Sequence, residues 1–133
     1  MSDITRILAG SLLLSLVTVE TGGIYLVRLA RGAGSATPFQ MRFARAGHAH
    51  AGVLLLLSLT GLLYAEAAHL TGFWGWLSRI GVPAAALLMP AGFFFSSMGE
   101  GRNTPNAFIT LVYTGAVVLA TGLTSLGIGL LIA

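Results

Sequence analysis

Three ionisable side chains of this chain sit among residues made for lipid. Glu20 lies inside the first apolar segment. His48 and His50 open the second, where Arg45-Ala-Gly-His48-Ala-His50-Ala-Gly runs straight into Val53-Leu54-Leu55-Leu56-Leu57. An imidazole nitrogen is a good ligand for haem iron, copper or zinc, and it needs no local charge to act as one. A carboxylate at similar depth can complete a metal site, relay a proton or hold a cation. Keeping a charge at membrane depth costs about 2.5–3.5 kcal/mol even on the mildest scale. Such residues usually face a bundle interior, a cavity or a cofactor, and that is the expectation here.

Spacing limits the chemistry. Residues two apart on a helix are rotated by about 200°, so His48 and His50 point to opposite sides and cannot share one metal. One is expected to look into the subunit toward Glu20, the other toward a cofactor or a second copy. His48, His50 and Glu20 are the candidate metal ligands. Arg45 shares a face with His48 and could pair with a haem propionate, and Glu100 sits close behind on the same side. The alternative is that both imidazoles bond to Glu20, helix carbonyls or interfacial water. Other motifs are weaker. Glu66-Ala-Ala-His69 has the Glu-x-x-His spacing of di-iron bundles, but it falls about 30 Å from His48 and reads better as a solvated interfacial pair. Met89 and Met98 could be soft ligands, although methionine is more often a gap-filler. Pro90 should kink its helix, and Phe93-Phe94-Phe95 is bulky enough to wall a cofactor.

The elements that position these groups follow from composition. The chain has 133 residues, 56% apolar and 8% charged, with a mean hydropathy of +0.89. A soluble domain carries about 25% charged residues. No cysteine is present, which excludes disulfides, thiolate metal sites and cysteine nucleophiles. All seven basic residues are arginine, placed at segment ends, so the net charge of +3 marks membrane topology rather than nucleic-acid binding. Four apolar segments, at 4–29, 43–68, 74–98 and 105–132, each exceed the roughly 20 residues needed to cross a bilayer. Lipid offers backbone groups no partner, so each must be helical. Short links, with Pro38 among the breakers of the first and Thr104 and Pro105 expected to cap and start the fourth helix, give one domain: an all-α, integral membrane, up-down four-helix bundle. Glu20 and Thr21-Gly-Gly23 interrupt the first run, which argues for a retained helix over a cleaved signal.

Arginine placement sets orientation. Arg28, Arg31, Arg42, Arg45 and Arg102 fall on one side, Arg6 and Arg79 on the other. The richer side is cytoplasmic, which puts both termini outside a bacterial inner membrane and lets Trp74 and Trp76 anchor the outer interface. Counted from Leu29 and Phe43 at about 1.5 Å per residue, Glu20 lies roughly 13 Å and the histidines roughly 8–10 Å inside the cytoplasmic end. A cluster of Glu20, Arg45, His48, His50 and Glu100 is then geometrically possible. Small and hydroxylic residues along the last segment (Thr110, Thr114, Gly115, Thr121, Gly122, Ser125, Gly127, Gly129) and Gly22-Gly23 in the first argue for close helix packing within or between copies.

Two resemblances add to this reading. The stretches Val19-Glu20-Thr21-Gly-Gly23, Phe43-Ala-Arg45-Ala-Gly-His48-Ala-His50-Ala-Gly-Val53, Met89-Pro-Ala-Gly-Phe93-Phe-Phe and Leu126-Gly-Ile-Gly-Leu130 resemble a group of small four-helix bacterial membrane proteins. That likeness implies a fold and no activity. Locally, Arg45-Ala-Gly-His48 entering an apolar helix looks like the histidine-bearing helix of subunit I in nitric oxide reductases and haem-copper oxidases. The likeness implies an axial haem ligand at His48. The other histidine-rich helices of that family are missing from this chain. That family's helices form three arcs of four, a plan that a four-helix relative could reproduce as a homotrimer.

The function expected is binding of haem or a transition metal (copper, iron or zinc) through inner-leaflet histidines, in a redox or sensing role, as a homo-oligomer, either trimer or dimer. The alternatives are a proton or cation pathway through Glu20 and the histidines, or an accessory structural subunit of a larger membrane complex. No nucleophile–base–orienter set is visible, which disfavours hydrolysis and leaves any catalytic role open.

Overall fold

A computed structural model describes all 133 residues. The chain is all-α, with α1 at Asp3–Ala30, α2 at Pro38–Ala67, α3 at Gly72–Ser97 and α4 at Thr110–Ile132. All four helices are long and apolar enough to span a membrane. They form a four-helix bundle in which each helix packs mainly on its neighbours in sequence, with α3 and α4 the most intimate pair. The buried core is Leu12 of α1, Leu54, Leu55 and Leu62 of α2, and Ala86 and Met89 of α3.

Two helix starts differ from expectation, both for reasons of capping. Helix α2 begins at Pro38, five residues before Phe43. Thr37 accepts from the Gln40 amide, and the Gln40 side chain accepts from the Thr37 amide, a reciprocal capping box. Pro38 occupies the first turn, where a missing N–H costs nothing, so it starts the helix rather than breaking the chain. The fourth segment is not capped by Thr104. Asn106 caps a 3₁₀ turn at Ala107–Ile109, and α4 proper follows from Thr110.

The α3–α4 seam is built on glycine. A Cβ at Gly122 would lie 2.9 Å from the Gly81 Cα, and one at Gly115 would lie 2.5 Å from Met89 Cγ. Ser125 and Ser78 bond across the seam at 3.1 Å, and Ser125 also donates to the Trp74 carbonyl at 2.8 Å. The hydroxyl stripe of α4 is therefore divided. Ser125 is in the seam, whereas Thr110, Thr114 and Thr121 face outward. Within α3, Pro83 and Pro90 each withhold the N–H that an upstream carbonyl would otherwise receive.

The end that carries the start of α1 is tied by polar contacts. Glu66 does not pair with His69, which is exposed with a positive φ of 50°. Instead its carboxylate accepts from the Thr5 hydroxyl at 2.8 Å and from Ser2, joining α1 to α2. Arg79 closes the α2–α3 turn by donating to the carbonyls of Leu70, Gly75 and Ala65. Trp74 and Trp76 are exposed at this end.

Gly122→Leu is expected to destabilise the bundle by about 1–3 kcal/mol through overpacking, read as a lower midpoint of unfolding in detergent. Gly127→Ala, where a Cβ meets nothing within 4 Å, should leave that midpoint unchanged. Glu66→Ala is expected to release the start of α1 without unfolding α3–α4. Hydrogen exchange should then rise at residues 3–10 and stay constant in α4.

Candidate functional site

Helices α1 and α2 run antiparallel, and two contacts fix their register. Thr5 meets Glu66 near the start of α1, and Gly22-Gly23 meet His48 further along it. The missing side chains of the two glycines create the slot in which the imidazole lies. A Cβ at Gly22 would come 3.2 Å from His48 Nδ1, and one at Gly23 would come 3.4 Å from Cε1. Because α2 starts at Pro38, His48 lies ten residues inside it, about 15 Å along the axis, deeper than the sequence count suggests. His48 is half-buried, and neither of its ring nitrogens bonds to another group of the chain.

His50 looks the other way, into the α2–α3 seam. Its ring lies 4.9 Å from that of Phe93, which meets Phe43 edge-on. Gly47 permits this approach, since a Cβ there would lie 3.0 Å from Phe94. His50 Nδ1 is 2.8 Å from the Ala46 carbonyl. A carbonyl only accepts, so in the neutral ring Nδ1 carries the proton and Nε2 keeps its lone pair. Metal-binding histidines are commonly oriented in this way, by a bond from the other ring nitrogen.

A cavity of about 800 Å³ opens at the arginine-rich end, between α1, the start of α2 and the link from α3 to α4. Tyr25 and Leu29 line it from α1, Gln40 and Ala44 from α2, Phe94 from α3, and Glu100 from the link. Gly22 belongs both to this lining and to the slot that holds His48. The rim is fixed by side-chain bonds to backbone carbonyls. The Gln40 side-chain amide donates to the Ser97 and Gly99 carbonyls at 3.0 and 2.7 Å, and the Thr37 hydroxyl donates to the Arg102 carbonyl at 2.6 Å.

The five residues of the expected cluster are thus distributed. Glu100 reaches the cavity and His48 lies behind its wall, but His50 belongs to another seam, and Glu20 and Arg45 are exposed. Neither Glu20 nor Arg45 forms an ion pair within the chain. No three histidine, aspartate or glutamate side chains converge as ligands of one ion. Of the two methionines considered as soft ligands, Met98 lines the cavity and Met89 is core. Phe93 and Phe94 wall the α2–α3 side, whereas Phe95 is exposed. Tyr25 and Gln40 were not singled out by sequence. Gln40 carried a usable signal, three residues after Thr37 and before an apolar run. Tyr25 carried none, because its place depends on which side of α1 faces the cavity. Comparison with protein-family models, curated proteins and solved structures finds no match to this chain.

Proposed function

We propose that this chain is a multi-pass membrane protein that holds haem or a transition metal ion (copper, iron or zinc) at its arginine-rich end, with His48 as the donor. The observation that carries the reading is an imidazole with both nitrogens free of the chain, seated at membrane depth behind a cavity of about 800 Å³. That volume is in the range of small-molecule sites, roughly 300–1,000 Å³. The lining suits an amphipathic group, since Phe94 and Leu29 are apolar while Tyr25, Gln40 and Glu100 offer polar atoms. His50, with Nε2 left as a lone-pair nitrogen, is a second donor directed to a separate seam. A bound haem or redox metal would supply electron transfer or gas binding, which suits a redox or sensing role.

Arg45 has no part in this site as a propionate partner. The cavity lies on the Tyr25 and Ala44 side of the α1–α2 seam, and helix rotation of about 100° per residue puts Arg45 on the other side. Glu20 lies there too, so of the residues near the cavity His48 is the donor. The same reading places the arginine-rich end in the cytoplasm and both termini outside a bacterial inner membrane, by the positive-inside rule. It also takes the chain to be a homo-oligomer.

The test is expression with haem precursor and metals supplied, followed by an optical spectrum and elemental analysis of the purified protein. Wild type is expected to carry haem or metal in a fixed ratio to the chain, and His48→Ala to lose it. His50→Ala should retain the His48-bound share. A colourless, metal-free wild type overturns the reading.

A further inference from the structure

Glu20 is exposed ten residues from the end of α1, about 15 Å along the axis, and has neither an ion pair nor a hydrogen bond in the subunit. A glutamate side chain is too short to reach the interface from there, although an arginine seven residues into α2 can. We infer that a second copy of this chain covers Glu20. The two copies pair through their α1–α2 hairpins about a two-fold axis along the membrane normal. The Glu20 carboxylate of each copy rests on the small residues Ala49 and Gly52 of the other and is met there by Arg45. This inference rests on the homo-oligomer of the reading above, not on its cofactor.

Two complementary stripes carry the argument. On α1, Leu13, Val17, Glu20, Ile24 and Val27 recur at steps of four and three, and all are exposed. This is the seam spacing of helices packed at a shallow left-handed angle. On α2, Arg45, Ala49, Gly52 and Leu56 recur in the same way. Arg45, Ala49 and Leu56 are exposed, and a Cβ at Gly52 would meet nothing within 4 Å. One stripe is bulky with an acid at its centre, the other small with a base at its inner end. Small residues let membrane helices approach closely.

Depth agrees with chemistry. The Thr5–Glu66 and Gly22-Gly23–His48 contacts set Glu20 level with Ala51, between Ala49 and Gly52. Arg45 lies six residues toward the cytoplasmic end, about 9 Å away, a gap that an arginine and a glutamate side chain close together. A two-fold axis along the membrane normal preserves depth, so the match within one copy is also the match between copies.

Direction agrees as well. On α1, Glu20 is turned roughly 90° from the face that meets α2, and on α2 the stripe is turned roughly 90° from the face that meets α1. Both turns are away from the cavity, toward one side of the hairpin. Four antiparallel helices at the corners of a square need this angle. A single self-complementary contact then neutralises both glutamates, as a two-fold interface requires.

The chain has no cysteine, so introduced thiols report cleanly. One tagged copy carries Leu13→Cys, a differently tagged copy carries Leu56→Cys, and both are reconstituted in lipid vesicles and oxidised. A disulfide between the two tags is expected, and Val117→Cys on the outward face of α4 should give none. Glu20→Gln and Arg45→Gln are each expected to weaken association about tenfold, the size of one interhelical polar contact, measured by energy transfer between labelled copies. Exchanging the charges, Glu20→Arg with Arg45→Glu, should restore it. A chain that stays monomeric in vesicles, a disulfide through Val117 only, or association indifferent to both charge variants overturns the inference. A monomer that still binds haem or metal at His48 would fail the pairing alone and leave the cofactor reading standing.

Discussion

Helices already surrounded by hydrocarbon gain little by burying apolar surface against one another. What holds this bundle is close backbone approach, and α3 supplies most of it. Gly81 meets Gly122, Gly92 meets Val112, and Gly115 admits Met89, so dispersion and the Ser78–Ser125 bond act at short range along the whole α3–α4 seam. On the other side of α3, Gly47 of α2 lets Phe93 and Phe94 come in. In the α3–α4 seam a single added methyl group would force the backbones or Met89 to shift, and at Gly47 it would press on the Phe93 and Phe94 side chains. The position of His50, and of the cavity wall formed by Phe94, depends on them.

Helix α1 is held differently. It has little buried surface, with Thr5 and Leu12 as its buried residues. Besides Leu12 in the core, its fixed points are polar or shape-based: the Glu66 carboxylate near its start, and the His48 ring in its glycine slot further along. The candidate site therefore lies between a rigid half and a loosely attached one. Its rim is a set of backbone carbonyls tied by the side chains of Gln40 and Thr37, and its α1 wall is a helix that rests mainly on one neighbour.

Much of the fold was legible in the sequence because lipid imposes it. Four long apolar runs must be helices, and short links must make them antiparallel. The opposed directions of His48 and His50 followed from rotation alone. Their surroundings did not. Which seam each ring enters depends on which face of α2 meets α1, and the hydrophobic pattern of a membrane helix, apolar all round, does not encode that. The same ambiguity concealed the outward exposure of Glu20 and Arg45 and the division of the α4 hydroxyl stripe. The contacts of Glu66 were hidden for another reason, since its partners Ser2 and Thr5 lie some sixty residues away in sequence. The start of α2 was legible in principle, because Thr37-Pro38 and Gln40 spell a capping box, but Pro38 also reads as a breaker.

The gradient of packing from α4 to α1 has a consequence for biogenesis. A chain is inserted from its amino-terminal side onward, so α1, the helix with the fewest contacts, enters the bilayer before α2, and the tightest pair is completed after both. During that interval α1 has only α2 to rest on, and Glu20 faces lipid. The glycine slot for His48 and the hydroxyl of Thr5 are both satisfied by α2 alone. The first hairpin can therefore hold its register before α3 and α4 exist, and the glycine-built seam then closes on a hairpin already in place.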